Sequence, residues 1–273
     1  MRLVLSVAAL ALSQHALALA QSAPPSDAPD GWTMQLGGAL IAGPAWQGSD
    51  DTAVSLFPDV RVSYGDRFFA SIPEGVGYNL VSSDAWRAGP IAKIRFGRDE
   101  EDGGSPFRVS GESNELRGLG DIDTAGEVGA FVERRFGDAA EWRLRGEVRQ
   151  GFGGHQGVVA DASLTYQTRL GSTLVSMGPR VSFASEDYMQ TYFGIDPAQA
   201  AGSGLAVYRA DGGLLSYGLG ASVIQPLSRN SAVTLFGSVE RLGDAAADSP
   251  LIRERGSETQ ATVGIGYGFR FSL

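Results

Sequence analysis

From residue 32 to the last residue, apolar and polar side chains alternate with a period of two in one segment after another. The alternation is clearest over 142 to 152, WRLRGEVRQGF, where Trp142, Leu144, Gly146, Val148 and Phe152 interleave with Arg143, Arg145, Glu147 and Arg149. Period two predicts a strand with two unlike faces, because successive side chains point to opposite sides of a sheet. Similar segments run over 32–43, 53–64, 67–72, 75–81, 85–97, 119–136, 158–170, 173–183, 214–225, 232–242 and 259–273. Together they predict twelve strands and an all-β fold.

The connections sort into two sets. Tight turns fall at GD (65), SSD (82), GDAAE (137), GS (171) and LSRN (227). They alternate with connections that are mostly long and polar: PAWQGSDD, RDEEDGGSPFRVSGESNELRG, GGHQG, SEDYMQTYFGIDPAQAAGSG and GDAAADSPLIRERGSE, the hairpin at Pro73 being the short exception. Strict alternation of short and long connections is what an antiparallel up-and-down transmembrane β-barrel predicts, with its turns at one rim and its loops at the other. A soluble half-buried sheet with solvent-facing arginines is the competing reading of any single strand. The final strand sharpens the choice. Val263, Ile265, Tyr267, Phe269, Phe271 and Leu273 share one face, which grows aromatic toward one end, as a face crossing a bilayer into its interface does.

On the barrel reading the arginines of 142–152 face the lumen, and buried charge needs partners. The neighbouring strands supply Asp121, Asp123, Glu127 and Glu133 on one side and Asp161 and Arg169 on the other, with Glu147 on the same strand. Cross-strand pairs of these groups are the expected lumen network.

The first twenty residues combine Arg2, an apolar run and Ala18-Leu19-Ala20, the pattern of a cleaved export signal. Residues 21–31, rich in Pro, Ser and Asp, then form a flexible periplasmic lead-in, and 32–273 the barrel. Net charge is −9 for the whole chain, and −10 without the leader, so nucleic acid is excluded as a partner. Lys93 is the single lysine, leaving arginine as nearly every cation. Cysteine is absent, which removes disulfides and thiolate chemistry.

Several segments together resemble the MipA/OmpV family of outer-membrane proteins, in the family's order over nearly the whole mature chain: GGALIAGPAWQGSDD, RFFASIPEGVGYNL, LRGLGDIDTAGEVGAFVERRFG, EVRQGFGGHQGVVADASLTYQ, SEDYMQTYFGID, AGSGL and RLGDAAADSPLI. The resemblance implies an integral barrel of the Gram-negative outer membrane without catalytic activity; the chain reads as a monomer without cofactor, in contact with outer-membrane lipid and lipopolysaccharide. It also implies a scaffold role in peptidoglycan remodelling, with a lytic transglycosylase and a penicillin-binding protein as partners. Other members are described as adhesins, so a surface contact role stands beside it, as does a narrow passive channel suggested by the charged lumen.

Candidate chemistry in the residues themselves is sparse. After the leader there is one histidine, His155, at a glycine-flanked loop tip, so a histidine metal cluster cannot form, and a triad with Asp161 and Ser163 lacks reach. Acidic loop residues Asp50, Asp51, Asp99 and Asp187 are candidates for a divalent cation bridging lipopolysaccharide phosphates, against the plainer reading of loop solvation. In DYMQTYFGI, Tyr188, Met189, Tyr192 and Phe193 form an apolar cluster inside a loop. It predicts either a plug tucked into the barrel mouth or a contact surface.

Overall fold

The computed structural model describes residues 31–103 and 106–272. The leader, and all of the lead-in except Gly31, lie outside the described residues. Fourteen strands are present: β1 (Trp32–Pro44), β2 (Thr52–Tyr64), β3 (Phe68–Ser71), β4 (Gly75–Tyr78), β5 (Val81–Ser82), β6 (Trp86–Arg95), β7 (Arg108–Ser110), β8 (Ala125–Phe136), β9 (Trp142–Gly153), β10 (Val158–Leu170), β11 (Thr173–Ala184), β12 (Gly213–Pro226), β13 (Ser231–Leu242) and β14 (Thr259–Ser272). Each pairs antiparallel with its neighbours, and β1 pairs with both β2 and β14, which closes the sheet on itself. β5 extends the line of β4 along β6, and β7 sits in a loop, so the wall is a closed barrel of twelve strands. Closure at the seam between β1 and β14 joins the two ends of the sheet, as a β structure in lipid must.

The two faces are those the alternation predicts. At the seam Leu40 stands opposite Leu56 on one side and Ile265 on the other, all three pointing outward. Leu144, Val148, Val128, Val132, Leu219, Leu235 and Val263 continue the outward apolar band. At the short-turn rim the band ends in a chain of rings. Trp32 lies 5.1 Å from Tyr64 and 5.9 Å from Phe68, and Trp142 lies 5.0 Å from Tyr166 and 6.4 Å from Phe136. Arg134 faces outward at this rim but lies over the Trp86 ring at 5.2 Å, a position that keeps its charge at the interface. Phe152, Phe183 and Tyr217 mark the opposite rim. An apolar band between two aromatic rims is the exterior of a membrane-spanning barrel.

One sector of the wall is low. β3 and β4 are four residues each, so β2 pairs with β3 only from Arg61 to Tyr64. Further up β2, β7 takes over, with Val54 opposite Ser110, and Leu56 donates its N–H to the Phe107 carbonyl. The loop between β6 and β8 thus completes the wall before it reaches the mouth. This also corrects the strand expected over 119–136. β8 begins at Ala125, and 119–124 belong to that loop, tied by a bridge between Arg98 and Ile122.

Candidate functional site

The lumen is lined unequally. On the side of β1, β2 and β13 it is apolar, with Ala39, Ile41, Phe57 and Phe236 in contact. On the side of β6, β8, β9 and β10 it is charged. There Arg149, almost fully buried, distributes its three nitrogens over three carboxylates: Nε to Glu127 at 2.8 Å, Nη1 to Glu147 at 2.6 Å and Nη2 to Asp161 at 2.6 Å. Lys93 holds Glu147 at 2.6 Å, and Arg145 reaches Glu147 at 2.6 Å and Glu133 at 3.3 Å. Arg95 holds Glu127 at 2.5 Å, and Ser182 donates to Asp161 at 2.6 Å. A buried ion pair survives where hydrogen bonds satisfy the remaining lone pairs, which is the arrangement around Arg149, whereas Glu133 Oε1 has no hydrogen-bond partner among the described residues. Farther round the wall Arg180 pairs with Glu240 at 3.2 Å.

His155 joins this wall to the mouth. It is buried, its Nε2 lies 3.1 Å from Glu127, and its Nδ1 accepts from the Gly157 N–H. With Nδ1 accepting, the ring proton sits on Nε2 and is directed at the carboxylate. The imidazole meets the Tyr188 ring edge-on at 5.0 Å, and the Arg95 guanidinium lies 5.2 Å over that same ring.

Tyr188 belongs to a cap that closes the long-loop end. The loop from β11 to β12 folds into α1 (Glu186–Phe193) and α2 (Pro197–Ser203), and the loop from β13 to β14 into α3 (Asp244–Ala247) and α4 (Pro250–Arg255). α2 starts where Asp196 accepts from the Ala198 and Gln199 backbone and Gln199 accepts in return from the Asp196 N–H, a capping box with proline in the first turn. Tyr188, Met189, Phe193, Ile195 and Leu251 have no measurable exposure and pack with Trp46, Leu116 and Leu242 as one apolar core. Polar ties fasten it. Tyr188 Oη donates to Gln47, Arg98 Nη1 to the Tyr192 carbonyl at 2.8 Å, and Ser249 Oγ to the Phe193 carbonyl at 2.6 Å. Gly157 is required under α1, since a Cβ there would come within 2.4 Å of the Tyr188 nitrogen. Burial raises the Tyr188 and Tyr192 phenols above their ordinary range against the pull of Arg95, so both stay protonated. Burial also pushes the Arg98 guanidinium down to about 10, which leaves it charged at neutral pH.

Below the cap the lumen holds a cavity of about 480 Å³. Its lining includes Lys93, Glu147, Asp161 and Ser182 at the deep end and Asp66, Ser172, Arg229 and Asn230 from the short turns at the other. Among the described residues the barrel is therefore filled and capped at one end, while its cavity reaches the short turns at the other.

The sequence profile of the family described as MltA-interacting protein MipA matches residues 36–271. This chain belongs to the MipA family. No curated protein sequence matches it. Among solved structures it is similar to the NanC porin, at 10% identity and a TM-score of 0.42 over 88% of this chain and 100% of that one. It is also similar to the Pseudomonas putida OprB structure, at 8% identity and a TM-score of 0.41 over 89% and 94% of the two chains.

The structure brings together Glu127, Glu133, Arg145, Glu147, Arg149 and Asp161 of the residues expected in the lumen network. Arg143 and Arg169 line the lumen nearer the short turns. Asp121 and Asp123 do not join them. They are exposed in the loop before β8, where Asp121 accepts from the Glu100 N–H, because the alternation of 119–124 continues past the true end of the strand. Tyr188, Met189, Tyr192 and Phe193 cannot form a contact surface, since all four are buried in the cap. The cation candidates are also dispersed. Asp50, Asp51 and Asp187 are exposed, the Asp99 carboxylate accepts from the Glu101 N–H, and no group of three metal-ligating side chains forms among the described residues. His155 is no loop tip but a buried contact. Lys93, Arg95, Arg180 and Glu240 belong to the wall although pattern reading did not select them. The odd-numbered polar positions of AWRAGPIAKIRFG carried the signal for Lys93 and Arg95.

Proposed function

We propose that this MipA-family protein is an integral barrel of the outer membrane that does not conduct, has no catalytic chemistry or cofactor of its own, and acts as a docking scaffold for peptidoglycan-remodelling enzymes. The observation that carries this reading is the cap, a packed apolar core drawn from four loops and pinned by buried hydrogen bonds, closing the lumen at the long-loop end. Barrels of the outer membrane turn their short connections to the periplasm, so the open end faces the compartment where peptidoglycan lies. The family's description by interaction with MltA supports a lytic transglycosylase as one partner, with a penicillin-binding protein as a second. The short turns alone offer little area for a stable interface, so residues 21–31 at the start of β1 carry part of the contact.

The test is binding of a purified lytic transglycosylase to the full-length barrel immobilised in detergent. Saturable binding that weakens when Ala23 to Asp30 are deleted, with the barrel still heat-modifiable on gels, supports the scaffold. Absence of binding to the native barrel rejects it.

A further inference from the structure

The charged wall is balanced at its deep end and unbalanced toward the short turns. Ten cationic side chains line the cavity against six carboxylates, in a protein whose net charge is −9. The excess concentrates around Glu133. Arg87 on β6 and Arg145 on β9 stand opposite it in register, Arg135 lies 3.3 Å from it, and Arg143 is one pair further along. Arg145 also binds Glu147, and Arg87 reaches Asp66 at the rim at 3.3 Å. Arg143 has neither recourse. It is 7% exposed, its buried Nε has no hydrogen-bond partner among the described residues, and its charge is offset only at a distance, by Glu133 and Glu74. Its cross-strand neighbours compound the problem: on β8 it faces Arg135, a like charge, and on β10 it faces Thr165, whose buried Oγ1 also has no partner.

Like charges opposite each other on a sheet repel, and a buried donor left unpaired costs the full desolvation of that group. Arg149, on the same strand and facing the same lumen, shows the alternative, with three carboxylates around one guanidinium. The second cluster sets Glu133 and Glu74 against Arg61, Arg87, Arg135, Arg143 and Arg145, so it lacks that complement of negative charge. A guanidinium fork offers paired donors that match a carboxylate or phosphate bidentately, and a hydroxyl beside it adds one more. The cavity volume of about 480 Å³ lies within the range of small-molecule sites.

We propose that the short-turn half of the lumen is a binding site for a small soluble oxyanion, a carboxylate or phosphate compound, gripped by Arg143 and Arg135 with Thr165 beside them. The site is enclosed by the barrel wall, so lipid head groups with their chains in the bilayer do not enter it. It goes beyond the docking role and needs only the open end, so loss of transglycosylase binding leaves it standing.

The experiment is calorimetric titration of the full-length barrel in detergent at low ionic strength, with inorganic phosphate in one series and citrate in another. The expected result is saturable one-to-one binding of at least one of the two, weakened by added sodium chloride. Arg143→Gln weakens it by about tenfold or more, Arg143→Lys retains part of it, and Thr165→Val weakens it less. Phosphate binding alone assigns the site to phosphate compounds, and citrate binding alone to carboxylates. Arg209→Gln, in an exposed loop pair with Glu186, leaves the affinity unchanged. If Arg143→Gln fails to migrate as a folded barrel, Arg135→Gln takes its place. Absence of saturable binding of either ion, or native affinity in the folded Arg143 and Arg135 variants, overturns the proposal.

Discussion

The two ends of this barrel solve the problem of an interior in opposite ways. At the long-loop end, loop helices bring Tyr188, Met189 and Phe193 down onto the mouth, and the charges beneath are matched group by group around Arg149. At the short-turn end no described segment caps the lumen, the cavity-lining cations outnumber the carboxylates, and the buried Arg143 Nε and Thr165 Oγ1 have no hydrogen-bond partner among the described residues. One end is finished by the chain itself. The other is built so that something from outside completes it. The difference teaches that a charged lumen is not by itself a channel: the sign and pairing of each layer decide whether it is structural filling or a receptive surface.

Five substitutions probe the two ends and the wall between them. Arg149→Leu should have the largest effect, because it leaves Glu127, Glu147 and Asp161 facing one another in a buried layer. Breaking such a network costs about 3–5 kcal/mol, read as a fall in the urea midpoint of the folded barrel in micelles. If Arg143→Leu costs as much, the two layers are equivalent and the contrast fails. Next, Phe193→Ala should cost about 4 kcal/mol, confined to the cap. Protease then cuts within 185–204 while the barrel band persists. On the lipid face, Val148→Arg should cost about 3 kcal/mol through a charge at mid-bilayer depth, slowing assembly without altering the lumen. The smallest effect expected is from Ser249→Ala, which strips the Phe193 carbonyl of its buried donor at about 1–2 kcal/mol and raises hydrogen exchange in α1 alone.

Much of this architecture is legible in the sequence, because lipid outside and charge inside impose period two on every wall strand. All twelve wall strands, and the alternation of short and long connections, follow from that rule. It misleads at its limits. LGDIDTAG alternates as a strand would, so Asp121 and Asp123 read as lumen residues, yet the chain turns off to bridge Arg98 before β8 begins. Pairings lie deeper still. Arg149 stands opposite Val159 in register, and its bond to Asp161 depends on the reach of a long side chain past its direct partner. The cap was the least legible part. α1 is eight residues long, too short for helical periodicity to stand out, and its burial comes from contacts with Trp46, Leu116 and Leu251, remote in sequence. Whether DYMQTYFGI is plug or contact surface is decided by those contacts alone. His155 illustrates the same limit, since its glycine neighbours suggest an exposed tip while Glu127 and Tyr188 enclose it.

The central claim, that the lumen is closed by its own cap at one end only, is tested most directly by planar-bilayer conductance of the native barrel beside a variant in which residues 186–203 are replaced by a short Gly-Ser link. The account predicts a silent native protein and discrete single-channel steps from the variant. Stable steps from the native barrel, at a conductance the cap deletion does not change, would contradict it.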